Sequence, residues 1–385
     1  MYAYLDNAAT TRPFDAVIDE MDRVMREEYG NPSAMHNAGV AAENIIKNSR
    51  QIIAKTLGAK PGEIIFTSGG TESNNMLISG LASAAVRRGR HIITSAIEHP
   101  AVANPIKRLE NEGYEVTVLG VDERGKVDRE QLKSALRNDT ILVSIMHVNN
   151  EIGTIEPVEE IAEIVHGINK DTVFHVDAIQ SYGKLPISPK HMGIDALSVS
   201  GHKIHGPKGV GFLYLRNGIR IDPMILGGGQ EDGFRSGTEN VPAIAGLGVA
   251  AEQITKDLSE HHNYLAGLGH IIIEELSDIE GVSFNGPYDT RFALPSIISI
   301  SVKGVRAEVL LHALEERDVY VSAGSACSTH HKHESATLTA IGLDPKLKES
   351  TIRVSLSHTT TEDEVRYAIK MMRELIPQLR RYTSH

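Results

Sequence analysis

The chain holds a single cysteine in 385 residues. One thiol cannot close an internal disulfide, build a four-cysteine zinc site or hold an iron–sulfur cluster within one chain. That argues against an oxidising extracellular scaffold and for a reducing compartment. Basic residues are also in deficit: 39 Lys and Arg face 50 Asp and Glu, a net charge of −11 with His neutral. Nucleic-acid binders show the opposite, a basic footprint. No apolar run approaches the roughly 18 residues of a membrane span. The opening MYAYLDNAATTRPFD has neither a basic stretch nor an apolar core of the kind that signal peptides carry, so the expected location is cytoplasmic. Internal repeats, low-complexity tracts and the GxxxxGK[ST] spacing of a P-loop are all missing.

What remains is an ordinary soluble composition, 41% hydrophobic and 23% charged. At about 150 residues per domain, the length suits two or three domains' worth of chain. Between about residues 50 and 215, short apolar runs alternate with helical patterns. EIIF leads up to Thr67, and HIITS ends at Ser95. EVTVL ends at Leu119, and ILVSIMHV at Val148. TVFHVD ends at Asp177, ALSVS at Ser200 and GVGFLYL at Leu215. This alternation predicts an α/β fold with a large domain, its mostly parallel sheet flanked by helices. After Leu215 a Gly-rich polar loop gives way to a long helical region from about Pro242 to Leu276. Mixed strands and helices follow and read as a smaller α+β domain. The expected division is 14–258 for the large domain and 1–13 with 259–385 for the small one.

Ligands of open α/β sheets sit at the carboxyl ends of the strands. After EIIF, Thr67-Ser68-Gly69-Gly70-Thr71-Glu72-Ser73 opens a helix with small residues whose N–H groups suit a phosphate; an ordinary N-cap is the alternative. TVFHVD ends in the carboxylate of Asp177. ALSVS leads into Ser200-Gly201-His202-Lys203, one strand–helix–strand step later. The bland reading of Asp177 and Lys203 is a buried ion pair. The chemical reading is a lysine that forms a Schiff base with pyridoxal phosphate while the acid keeps the pyridine nitrogen protonated. Glu98-His99-Pro100, Asn149-Asn150-Glu151 and Gln180 add an imidazole and amides at the same ends. Each alone is more often a turn or capping residue. Gly246, Gly248 and Ala251 match GxGxxA without a preceding strand, so helix packing explains them better than a dinucleotide.

These segments carry a family resemblance over nearly the whole chain. LDNAATT (5–11), GNPSAMH (30–36), TSGGTESNN (67–75), HVNNEIG (147–153) and HVDAIQSYGKLP (175–186) are part of it. SGHKIHGPKGVG (200–211), RSGTEN (235–240), GSACS (324–328) and TIRVSL (351–356) complete it. The chain resembles the NifS/IscS-type cysteine desulfurases of the class V aminotransferase group, which are fold type I pyridoxal-phosphate enzymes. The resemblance implies Lys203 as the Schiff-base lysine and Asp177 as the partner of the pyridine nitrogen. It implies His99 as the stacking group and acid/base, with Gln180 and Asn150 on the ring side. Gly70, Thr71, Ser200 and His202 would hold the phosphate. Thr238 would reach the phosphate bound by the partner subunit of a homodimer. Arg353, helped by Asn31, would clamp the substrate carboxylate, and Cys327 would be the nucleophile. The implied reaction takes L-cysteine to L-alanine. The Cys327 thiolate attacks the substrate sulfur and carries a persulfide to an acceptor such as an iron–sulfur scaffold, or toward thio-cofactor or tRNA thiolation.

The segment after Cys327 departs from the family. Cys327, His330, His331 and His333 invite a zinc or copper reading; a solvated loop is preferred and no metal is expected. The short stretch after the last helix and the DNAATT motif look more like the NifS branch. The competing enzyme reading is a selenocysteine lyase or another class V enzyme, against which Cys327 argues. The non-enzyme alternative is a cofactor-less sulfur carrier or scaffold, against which Lys203 and Asp177 argue.

Overall fold

The computed structural model describes residues 1–323 and 334–383. Seven strands form the large sheet. Their order across it is Ile64–Thr67, Gly211–Leu215, Ala196–Ser200, Val173–Asp177, Thr140–Met146, His91–Ser95 and Glu115–Leu119. The last five in that order run parallel to one another. Gly211–Leu215 is antiparallel to both its neighbours, which restores the common direction at Ile64–Thr67. The carboxyl ends Thr67, Ser95, Met146, Asp177 and Ser200 therefore share one edge. Most of these strands are buried throughout, which is why they read as continuous apolar runs rather than alternating ones. Helices cover both faces.

A second sheet is antiparallel throughout: Ser322–Ala323, Thr351–Ser355, Ile297–Val302 and Val282–Asn285. It has its own apolar core, to which Ala3 and Leu5 contribute together with Leu268, Ile300, Leu310, Ile352 and Ile369. The N-terminal pair Ala3–Tyr4 lies parallel to Val319–Tyr320.

The long helical region is two helices, not one: Val241–Ile254 and Leu258–Leu276. Asp257 between them adopts φ 56°, a left-handed conformation. The apolar periodicity continues across this break, so the sequence pattern did not show it. Gly246 and Gly248 lie inside the first of these helices, and the packing explanation holds. A Cβ on Gly246 would fall 2.9 Å from Met21 Cγ, and one on Gly248 2.9 Å from Ser49 Oγ. They let the helices Asp15–Glu27 and Asn37–Leu57 approach closely. Among the described residues no helix is long and apolar enough to cross a membrane.

Candidate active site

Asp177 ends its strand at the shared edge and is almost wholly buried. Its Oδ2 accepts from Asn74 Nδ2 at 2.9 Å and its Oδ1 from the Ile179 N–H at 3.0 Å. Burial pushes the carboxyl up, against the pull of these two bonds. Both partners are neutral, so a protonated ring nitrogen would give the carboxylate the charge-assisted partner it lacks. Asn74 was not foreseen. It stands four residues after Gly70 on the helix Gly70–Ala85, hence on the same helix face.

Lys203 closes the short 3₁₀ turn Gly201–Lys203 that follows Ala196–Ser200, the strand paired directly with that of Asp177. Its Nζ donates to Ala8 O at 2.6 Å and Ala9 O at 2.7 Å. The amine is thus held by the backbone of the N-terminal DNAATT segment. That segment is itself fixed by Asn7 Nδ2 on Ser355 O, Ser355 Oγ on the Ala8 N–H, and Thr11 Oγ1 on His202 O. Gln180 Nε2 donates to the same Ala8 O at 2.9 Å.

The Gly69–Gly70 turn is built by close approach. Gly69 is at φ 148°, and a Cβ there would lie 3.5 Å from Ser200 Oγ. One on Gly70 would strike Ile179 Cδ1 at 2.1 Å and lie 3.5 Å from Ser200 Cβ. The cap at Gly69 has no side-chain bond; Glu72 takes the Ser68 N–H instead. The first-turn N–H groups of a helix suit an anion, and here Thr71 is exposed at that turn and Ser200 is buried. His202 lies nearby, its Nδ1 3.2 Å from Thr10 Oγ1, and burial holds it down at about 4. The residues present fit pyridoxal phosphate: an anion cradle at one end, a buried acid at the other and an amine between.

His99 caps the helix Pro100–Asn111, its Nδ1 accepting the Ala101 N–H at 3.1 Å. A neutral ring therefore carries its proton on Nε2. Burial holds the imidazole below its usual range, so the neutral form dominates. Asn149 is a turn residue: its Oδ1 accepts from Glu151 N and Ile152 N. Asn150 supplies its backbone carbonyl to Arg353 Nη1 at 2.7 Å. Arg353 Nη2 pairs with Asp6 Oδ1 at 2.9 Å, and among the described residues its Nε has no hydrogen-bond partner. Asp6 was not singled out from sequence, although it belongs to the DNAATT motif.

Among the described residues no side-chain hydrogen bond joins Asn31 or Thr238 to the other residues of this cluster. Asn31 Oδ1 accepts from the Ser33 N–H, and Thr238 is exposed. Cys327, His330, His331 and His333 lie outside the described residues. The described flanks of that segment reach Arg353 and the Asn149–Glu151 turn. Ser322 is in register with Arg353. Ser335 Oγ donates to Glu151 Oε2 at 2.5 Å, and Asn149 Nδ2 donates to Thr337 Oγ1. Among the described residues no group of three or more His, Cys, Asp or Glu is arranged to hold a metal.

A strand-end lysine and acid, a glycine turn and a half-buried imidazole thus meet at one edge of the sheet, and the chain belongs to the class V aminotransferase family, whose model matches residues 3–367. Within it, the chain is 45% identical to the cysteine desulfurase IscS of Dictyoglomus turgidum over 98% of its length and 95% of that protein. It is 42% identical to the cysteine desulfurase IscS of Methanosarcina thermophila, covering 98% and 92% respectively. A solved NifS-like protein superposes with a TM-score of 0.93 at 41% identity, covering 98% of this chain and all of that one.

Proposed function

We propose that this chain is a pyridoxal-phosphate-dependent cysteine desulfurase. It removes sulfur from L-cysteine, releases L-alanine and carries the sulfur as a persulfide on Cys327 for an acceptor protein such as an iron–sulfur scaffold. The observation that carries the reading is the convergence, on one sheet edge, of Asp177, Lys203, His99 and the Gly69–Gly70 cradle, beside the Arg353 clamp.

When bound, pyridoxal phosphate supplies an electron sink for a bond at the substrate α-carbon. Asp177 would keep the ring nitrogen of that group protonated. Gly70, Thr71, Ser200 and His202 would hold its phosphate, and Gln180 and Asn150 would address the ring side. Lys203 would anchor it and move the α-proton, with His99 acting through Nε2. Arg353 takes the substrate carboxylate, assisted by Asn31. Thr238 reaches the phosphate of the partner subunit in a homodimer. The Cys327 thiolate attacks the substrate sulfur: an S–S bond forms, the C–S electron pair stays on the substrate carbon, and a proton there completes alanine. In this reading residues 14–258 bind the cofactor, 1–13 and 259–385 form the unit that carries Cys327, and the enzyme works in the cytoplasm.

With one cysteine per chain, a persulfide cannot resolve into an internal disulfide, so the sulfur leaves to an acceptor or a reductant. The test is cysteine turnover by the reconstituted protein, with alanine and sulfide both assayed. Lys203→Ala is expected to abolish both products and Cys327→Ala to abolish the persulfide. Full-rate release of alanine and sulfide by Cys327→Ser would overturn the role of the thiol.

A further inference from the structure

Gln180 is held between two groups of opposite hydrogen-bonding character. Ala8 O can only accept, and it faces Gln180 Nε2 at 2.9 Å. Lys184 Nζ donates, and it faces Gln180 Oε1 at 3.1 Å. A flipped amide would set its oxygen against the Ala8 carbonyl and its NH₂ against the lysine, breaking both bonds at once. Ala8 O is also the acceptor of Lys203 at 2.6 Å, so the two lysines are linked through one amide and one carbonyl.

The turn makes this reach possible. Gly183, at φ 74°, sits where an added Cβ would fall 2.8 Å from Ile254 Cγ2. Lys184 N–H closes the turn on Ser181 O. Lys184 and Lys203 also line one cavity of about 30 Å³, whose lining contains no carboxylate. At roughly 10–15 Å³ per water, it has room for about two.

We propose that Lys184 is a positioning residue for the cofactor: by donating to Gln180 Oε1 it fixes the amide with its NH₂ toward Ala8 and the reacting end of Lys203. The inference rests on the pyridoxal-phosphate reading given above. The charged and titratable groups around the pair are few. Asp6, Asp177, His99 and His202 act on Lys203. Lys203 and Arg353 act on Lys184, and His205, His261, His262 and His358 line the shared cavity. Burial, reinforced by those two cations, lowers the Lys184 amine to about 7.

The experiment reconstitutes wild type, Lys184→Met, Lys184→Arg, Gln180→Ala and the Lys184→Met/Gln180→Ala double variant with pyridoxal phosphate. It then follows the pH midpoint of the cofactor's visible absorption band. Lys184→Met is expected to raise the midpoint by about one pH unit, because a donor and a neighbouring cation are lost together. It should also lower kcat about tenfold with little change in KM. Lys184→Arg keeps a donor and a charge and should return the midpoint to within a few tenths of wild type. In the Gln180→Ala background, Lys184→Met should add only the part due to the lost charge, well short of its shift in wild type, since the remainder acts through Gln180. An equal shift in both backgrounds would mean that Lys184 acts by charge alone and would overturn the positioning role, as would an unshifted Lys184→Met band. If Lys184→Met does not fold, as read by circular dichroism, the same comparison with Lys184→Gln decides. A wild-type protein that forms no band overturns the cofactor reading itself, and this inference with it.

Discussion

Glu98→Gln should stabilise the protein at neutral pH and leave it unchanged in mild acid. Glu98 is buried, with Oε1 accepting from Ser95 Oγ at 2.6 Å and from Met146 N–H at 2.9 Å. Its Oε2 has no hydrogen-bond partner among the described residues. Burial, reinforced by Asp177 and Glu156 nearby, raises this carboxyl from 4.5 to about 8. The folded protein therefore holds a proton that the unfolded chain releases above 4.5. Folding binds more protons than unfolding in this window, so stability falls as pH rises from 4.5 toward 8. At 1.36 kcal/mol per unit, the loss between pH 5 and pH 7 integrates to about 2.5 kcal/mol. Glutamine matches the protonated acid in shape, keeps the Oε1 acceptor and does not titrate. Scanning calorimetry of both proteins at the two pH values is the assay. For a chain of this length the variant should gain about 3 °C in Tm at pH 7 relative to pH 5. A Tm difference between the two proteins that is the same at both pH values would refute the buried-proton argument.

Three other substitutions probe the site directly. Asp177→Asn should lower cofactor retention about a hundredfold, the worth of a charge-assisted bond of roughly 2–3 kcal/mol, measured by equilibrium titration of the visible band. Gly70→Ala forces a methyl to within 2.1 Å of Ile179 Cδ1; it should cost about 1–3 kcal/mol in a denaturant titration and weaken phosphate binding. Arg353→Lys should raise KM for cysteine about tenfold with a smaller change in kcat. An ammonium cannot hold Asn150 O and Asp6 together and still present a planar fork to a carboxylate.

The parts of this site that were legible in sequence are those where an isolated polar residue ends an apolar strand. Asp177 stands out after TVFHV, and Lys203 one strand later falls on the neighbouring strand because right-handed crossovers put consecutive parallel strands side by side. Gly69–Gly70 was legible for the same reason, following EIIF. The supporting groups were not. Asp6 acts across 347 residues of sequence and Ala8 through a backbone carbonyl, which no residue type announces. Lys184 and Asn74 were inside quoted motifs, yet their partners depend on a turn and a helix phase that only the fold fixes. The break at Asp257 was hidden because a non-glycine residue takes the left-handed conformation there.

Ser335 links two functions that the sequence separates. It caps the helix Ala336–Ala340 through the Leu338 N–H at 3.0 Å and donates to Glu151 Oε2. Glu151 neighbours Asn150, whose carbonyl holds Arg353, while Ser322 on the other flank is in register with Arg353. Arg353, proposed above to take the substrate carboxylate, thus shares one frame with Ser322 and Ser335, which flank the segment holding Cys327. Ser335→Ala removes a cap worth about 1 kcal/mol and a hydrogen bond to a carboxyl worth about another. Substrate binding through Arg353 keeps its own partners, so KM should hold. Under the proposed function, formation of the Cys327 persulfide should slow several-fold, because Ser335 has lost its tie to Glu151 while Arg353 keeps Asn150 and Asp6. Single-turnover labelling with ³⁵S-cysteine, run beside steady-state alanine release, separates the two steps. Persulfide formation at the wild-type rate, or a KM that rises in step with the slowing, would show that the shared frame does not couple them.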